Sequence, residues 1–127
     1  MTINRVSHIV VYVTDQQEAL QWYQEKLGFE VCVDNDAVVP GMRWLTVCPV
    51  GNQSTQFVLM LVREESDISR VGTNLMTVLS STDCIGDMAR LACEGVEIIS
   101  PPEEMPWGIS GMIRDLYGNP YNLVESR

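Results

Sequence analysis

The chain holds a single histidine, His8, inside the stretch VSHIVVYV. Imidazole titrates near neutral pH, so His8 is a candidate general base or a hydrogen-bond donor to a ligand. No nucleophile or acid that would partner it is identifiable, and the competing reading is a hydrogen-bonded binding residue without catalytic duty. Near the C-terminus, GNPYNLVE offers one amide, Asn122, and one acid, Glu125. These are an odd number of residues apart, so a regular strand points them to opposite faces. Trp44 and Trp107 are flat surfaces on which a planar or cationic ligand stacks, worth about 0.5–2 kcal/mol for a cation over a ring. Trp107, within MPWG, serves equally to pin its own loop. Met60, Met76 and Met112 supply soft surface that adapts to irregular ligands, and each also has an ordinary packing reading.

The four cysteines stand at 32, 48, 84 and 93, without a C-x-x-C pair. With one histidine, a Cys/His zinc site is not expected. The thiols read as reduced and structural. The net charge of −9 argues against non-specific nucleic-acid binding and leaves a cationic ligand open. No apolar run approaches the ~20 residues that cross a bilayer, and no signal-peptide cleavage pattern follows the start. The expected address is the cytoplasm.

The elements that must position these residues follow from periodicity. Residues 6–13 are apolar and β-branched, a strand placing His8, Val10 and Tyr12 on one face and Ile9, Val11 and Val13 on the other. Asp15 and Glu18 have capping-box spacing, Ala19, Tyr23 and Leu27 form a helical stripe, and Gly28 is the stop. Strands are expected at 29–33, 43–50 and 55–62, with a polar loop between the first two. REESDISRVG, 63–72, reads as an exposed acidic connector. The order then starts again: a strand at 74–83, Asp83 as cap, a stripe of Ile85, Met88, Leu91 and Ala92, Gly95 as stop and a strand at 96–100. A proline-interrupted loop at 101–108 and a closing hairpin follow, in which Asp115 shapes the turn. Asp15 recurs as Asp83, Gly28 as Gly95 and Glu30 as Glu97, at a nearly constant offset. The chain is therefore an internal repeat: one domain, 1–127, with modules at about 3–63 and 72–127. The fold class is α+β, two βαβββ modules forming a cupped mixed sheet with a free face in each half.

SHIVVYVTD, ALQWYQEKLGFEV, TQFVLML, the STD-to-EGVEI repeat and MPWGISGMIRDLYGNPYNLVE together resemble the vicinal oxygen chelate superfamily of glyoxalase I, bleomycin-resistance proteins, extradiol dioxygenases and fosfomycin-resistance enzymes. The resemblance spans about residues 3–126. It implies a homodimer, and in metal-using members a divalent ion held by side chains from the first and fourth strands of each module. Those positions fall here on His8, Met60, Met76 and Asn122, of which only His8 is a usual ligand. Gln56 shares strand parity with Met60 but lies roughly 13 Å from it along the strand. No metal and no cofactor are therefore expected. The resemblance implies a protein that binds a small, partly apolar molecule, a cationic one included, with His8, Tyr12, Trp44, Met60, Met76, Trp107, Met112 and Asn122 as ligand-binding candidates. Whether it is an enzyme stays open. The alternative is a divalent-metal lyase, isomerase or dioxygenase of glyoxalase type, or a metal-free enzyme with His8 as base.

Overall fold

A computed structural model describes residues 2–127. The protein is α+β, and the described residues form two four-stranded mixed sheets and three helices. It divides into two compact units, one ending at Val71 and the other spanning Gly72–Arg127.

In the N-terminal unit, β1 (His8–Val13) leads into α1 (Gln16–Leu27). The Asp15 carboxylate accepts from the Glu18 amide at 3.0 Å, satisfying one orphan donor of the first turn. Gly28 ends the helix in the left-handed region at φ 67°, which a residue with a Cβ adopts only at a cost. β2 (Phe29–Val39), β3 (Met42–Pro49) and β4 (Gln56–Leu61) complete the sheet in the order β1-β4-β3-β2, with β1 and β4 parallel. Ala19, Leu20 and Tyr23 of α1 pack on the sheet face formed by Val11, Val13, Leu45, Val47, Phe57 and Leu59, all buried. Tyr23, Phe29 and Phe57 run as a chain of rings with centroids 5.9 and 5.6 Å apart.

The C-terminal unit repeats this plan. β5 (Thr77–Ser80), α3 (Cys84–Cys93), β6 (Ile98–Met105), β7 (Gly108–Arg114) and β8 (Pro120–Ser126) form a sheet in the order β5-β8-β7-β6, with β5 and β8 parallel. Asp83 caps α3 by accepting from the Gly86 amide at 3.0 Å. Met88 and Leu91 are buried against Ile113, Tyr121 and Leu123. Gly111 makes room for Met88, whose Cε would lie 2.8 Å from a Cβ at that position. Asp115 accepts from the amides of Tyr117 and Asn119 at 2.9 and 2.8 Å and closes the β7–β8 turn.

Four local expectations change. The polar segment after Val33 is strand as far as Val39, because β3 offers it an antiparallel partner and Arg43 bridges to Asp34 at 2.8 Å across the hairpin. The proline-rich 101–105 segment also continues as β6. Prolines are tolerated there because β6 is an edge strand and its register shifts between Ser100 and Glu103. β5 begins only at Thr77, so Met76 precedes the strand rather than lying in it. Finally, Cys32 and Cys48 are joined as a disulfide, not kept as thiols. A register shift between Val31 and Val33 makes Cys32 the extra residue of a bulge in β2, beside the partner strand that carries Cys48. Cys84 and Cys93 are free. The connector holds a one-turn helix, α2 (Glu65–Ile68).

Candidate functional site

Strand register sorts the side chains on each sheet's helix-free face. In the N-terminal unit β1 and β4 run parallel, with His8 opposite Gln56, Val10 opposite Val58 and Tyr12 opposite Met60. β3 adds Thr46 opposite Val58, and Trp44 and Cys48 share its parity. His8, Tyr12, Trp44, Thr46, Gln56 and Met60 thus project from one face. The rings of His8 and Trp44 meet edge to face at 5.8 Å. His8 Nδ1 lies 2.9 Å from the Ser7 hydroxyl. The Thr46 hydroxyl donates to Gln56 Oε1 at 2.7 Å, tying the polar floor of the face together. Tyr12 receives a hydrogen bond from Arg70 at 3.2 Å.

The opposite face supports this one through α1. Gln16 is buried in the first turn, and its amide donates to the carbonyls of Arg43 and Leu59 at 2.9 and 2.8 Å. Those carbonyls sit in β3 and β4 next to Trp44 and Met60, so the helix fixes the backbone that aims both side chains.

In the C-terminal unit the helix-free face carries Val78, Ser110, Met112, Asn122 and Val124. Asn122 lies opposite Val78 on one side and Met112 on the other. Ser110 donates to Asn122 Oδ1 at 2.9 Å. Met76 has the parity of Val78 but lies outside the strand, 43% exposed, and Trp107 occupies the β6–β7 turn at 51% exposure. Glu125 turns to the helix side, where its carboxylate accepts from the Cys84 amide at 2.8 Å. It serves the N-terminus of α3, where a negative charge and an acceptor are both favourable.

A local pattern repeats in both units. A hydroxyl on the third strand donates to an amide oxygen on the fourth: Thr46 to Gln56, and Ser110 to Asn122. By this pattern Gln56, not Met60, is the counterpart of Asn122, and it is Gln56 that stands opposite His8. Strand parity alone does not reveal this, because parity is shared by every second residue and the parallel register is a tertiary property. Thr46, Ser110 and Arg70 are the further residues of these faces that sequence periodicity does not single out. Among the described residues no group of three or more His, Cys, Asp and Glu is placed to hold a metal ion. Among the described residues no helix is long and apolar enough to cross a membrane.

A cavity of about 230 Å³ lies elsewhere, between α3 and β6 of the C-terminal unit. It is lined by Ile85, Met88, Ala89, Ala92, Ile98, Pro101 and Pro102, and holds none of the residues expected to bind a ligand.

Comparison with known proteins places this architecture. TnmS3, an antibiotic binding protein from Streptomyces sp. CB03234, is 33% identical with a TM-score of 0.81, and the match covers 100% of this chain and 99% of that one. A superfamily member from Sphaerobacter thermophilus is 32% identical with a TM-score of 0.80, over 99% and 100% of the two chains. The protein YetH of Bacillus subtilis is 30% identical, over 97% of this chain and 99% of its own. The profile of the Glyoxalase/Bleomycin resistance protein/Dioxygenase superfamily matches residues 5–123, and the chain belongs to that superfamily.

Proposed function

We propose that this protein binds a small, partly apolar molecule on the helix-free face of its N-terminal module and does so without a metal. The observation that carries the reading is the composition of that face. Tyr12, Trp44, Met60 and His8 supply aromatic and soft surface, and the Thr46–Gln56 pair supplies a hydrogen-bonding floor. In the C-terminal module Met112 and Asn122 are the corresponding candidates on that module's own face, with Met76 and Trp107 as outlying ones. The antibiotic-binding relative supports a sequestering role.

The donor set does not suit a divalent ion. The residues paired across the first and fourth strands are His8 with Gln56 and Val78 with Asn122. They provide one imidazole, two amides and no carboxylate, and both amide oxygens already accept from hydroxyls. We infer that the family's metal site has been lost here. One observation favours the alternative of a metal-dependent lyase, isomerase or dioxygenase: His8 and Gln56, both ligand types of that family, stand side by side. The face is also compatible with a metal-free reaction using His8 as base. We further infer a homodimer working in the cytoplasm, to be checked by light scattering and cell fractionation. The Cys32–Cys48 disulfide makes redox state a variable to control in every assay.

Thermal-shift screening of metal-free protein against aromatic compounds, followed by calorimetric titration, tests the reading. The expected result is stabilisation by some of these compounds, lost in Trp44→Ala. No stabilisation by any of them counts against it. Stoichiometric divalent metal in protein purified without chelator, released by His8→Ala, would move the conclusion to the metalloenzyme.

A further inference from the structure

The acidic composition suggests a cationic ligand, but the charges placed at the N-terminal face argue otherwise. None of the side chains that project from it along β1, β3 and β4 is a carboxylate. Glu30, opposite Cys48 at the far end of the sheet, directs its carboxylate to the Gly51 amide at 3.4 Å. A cation from the connector does contact this face. Arg70, 58 residues along the chain from Tyr12, lies with its guanidinium carbon 5.7 Å from the Tyr12 ring centroid and donates to the Tyr12 hydroxyl. Asp67, three residues earlier, lies 3.5 Å from Arg70 Nε, an exposed ion pair. The turn is built for this, with the Arg70 amide donating to the Asp67 carbonyl at 2.9 Å.

A guanidinium is planar, weakly hydrated and presents several donors in a fixed fork. Stacked on a tyrosine at the edge of an aromatic surface, it suits the carboxylate or phenolate of a ring-bearing ligand. The overall charge of −9 acts weakly on such a ligand, because surface charges beyond about 8 Å are largely screened at physiological ionic strength. We propose that the ligand of this face is an aromatic anion, and that Arg70 selects its charge. This inference rests on the small-molecule reading above and names the ligand class for the same face.

Three probes of one shape separate the two ideas: 2-naphthoate, the neutral 2-naphthamide and the cationic 2-naphthylmethylammonium. Each is titrated calorimetrically at neutral pH and about 0.15 M salt. Naphthoate is expected to bind about fivefold more tightly than the ammonium probe. Arg70→Gln should remove that preference while leaving naphthamide affinity within about twofold, and Arg70→Lys should retain part of it. Arg43→Gln makes the same change of net charge on the helix-covered side, where Arg43 meets Gln17 and Asp34, and should leave the preference intact. A wild-type preference for the ammonium probe, or an Arg70→Gln variant with an unchanged ratio, would overturn the proposal. So would an Arg43→Gln variant that shifts the ratio equally, since the effect would then be long-range charge. Binding of all three probes alike removes charge selection and leaves the small-molecule reading standing. Binding of none removes both.

Discussion

The two modules share a plan and fasten it differently. In each, the first residue of the helix reaches back to a leucine carbonyl in the module's last strand. In the N-terminal module Gln16 does so with an amide, donating to Leu59 and also to Arg43. In the C-terminal module Cys84 does so with a thiol, at 3.4 Å from the Leu123 carbonyl, and Glu125 in the same strand accepts from the Cys84 amide. One side chain with two donors has been exchanged for a weak donor plus a carboxylate from the opposite partner. The helix-free faces have diverged further: rings, an imidazole and a guanidinium in one, and Val78, Ser110, Met112, Asn122 and Val124, with neither ring nor charge among them, in the other. Packing under a helix restricts what can change, whereas a helix-free face is shaped by whatever it meets.

The largest expected effect tests how far the repeat extends. Gly108 opens β7 at φ 152°, and a Cβ there would come within 2.1 Å of the Glu125 carbonyl oxygen. Gly41, in the N-terminal module's hairpin turn, has φ 74° and open space around its Cβ direction. Gly108→Ala should cost about 3 kcal/mol or more, and Gly41→Ala about 1–2 kcal/mol, in urea unfolding. Equal costs would mean that the two hairpins are equivalent after all. Next, Gln16→Ala removes the side-chain donor from one buried and one part-buried carbonyl and should cost about 2 kcal/mol. Glu125→Ala removes a single acceptor from a half-buried helix end and should cost about 1 kcal/mol. A reversed order would show that the α3 anchor is the stronger one.

The repeat itself was legible because caps and stops are local. Asp15, Gly28, Asp83 and Gly95 declare their roles within one helical turn, and Asn122 and Glu125 separate by strand parity alone. Other features depend on neighbours that sequence spacing does not identify. Gln56 stands opposite His8 through a parallel register between strands that are far apart in the chain, as the pairing of β1 with β4 shows. Arg70 matters only once the connector folds back onto Tyr12, and a charged run offers no sign of that. Cys32 meets Cys48 because of a bulge, which no alternation pattern displays. Pro101 and Pro102 read as a loop because proline disfavours strands, and only an edge position with shifted register lets them stay in one.

The contrast between the two faces yields a smaller effect, read in binding. Trp44→Ala should weaken an aromatic ligand about tenfold, as loss of a central aromatic anchor does. Met112→Ala, on the C-terminal face, should weaken it about twofold or less by calorimetry. Equal losses would erase the distinction drawn between the faces.

The smallest effect concerns the thiol that replaces the amide. Burial pushes the Cys84 thiol above its ordinary range, and the negative charges of Glu125 and Asp87 push in the same direction. In the unfolded chain the same thiol ionises near pH 8.5. The folded state therefore holds the proton more tightly, and the stabilisation this brings is complete below the unfolded value. It is lost as pH rises from there through the folded value, because the unfolded state releases its proton first. Gln16, at the matching place, has no proton to lose, so this alkaline sensitivity belongs to the C-terminal anchor alone. Urea unfolding without reductant, which keeps the Cys32–Cys48 disulfide intact, should show stability declining with pH above about 8.5 more steeply in the wild type than in Cys84→Ala. Parallel pH profiles in the two proteins would mean that Cys84 ionises as freely folded as unfolded, and that its contact with Leu123 contributes nothing that depends on the proton.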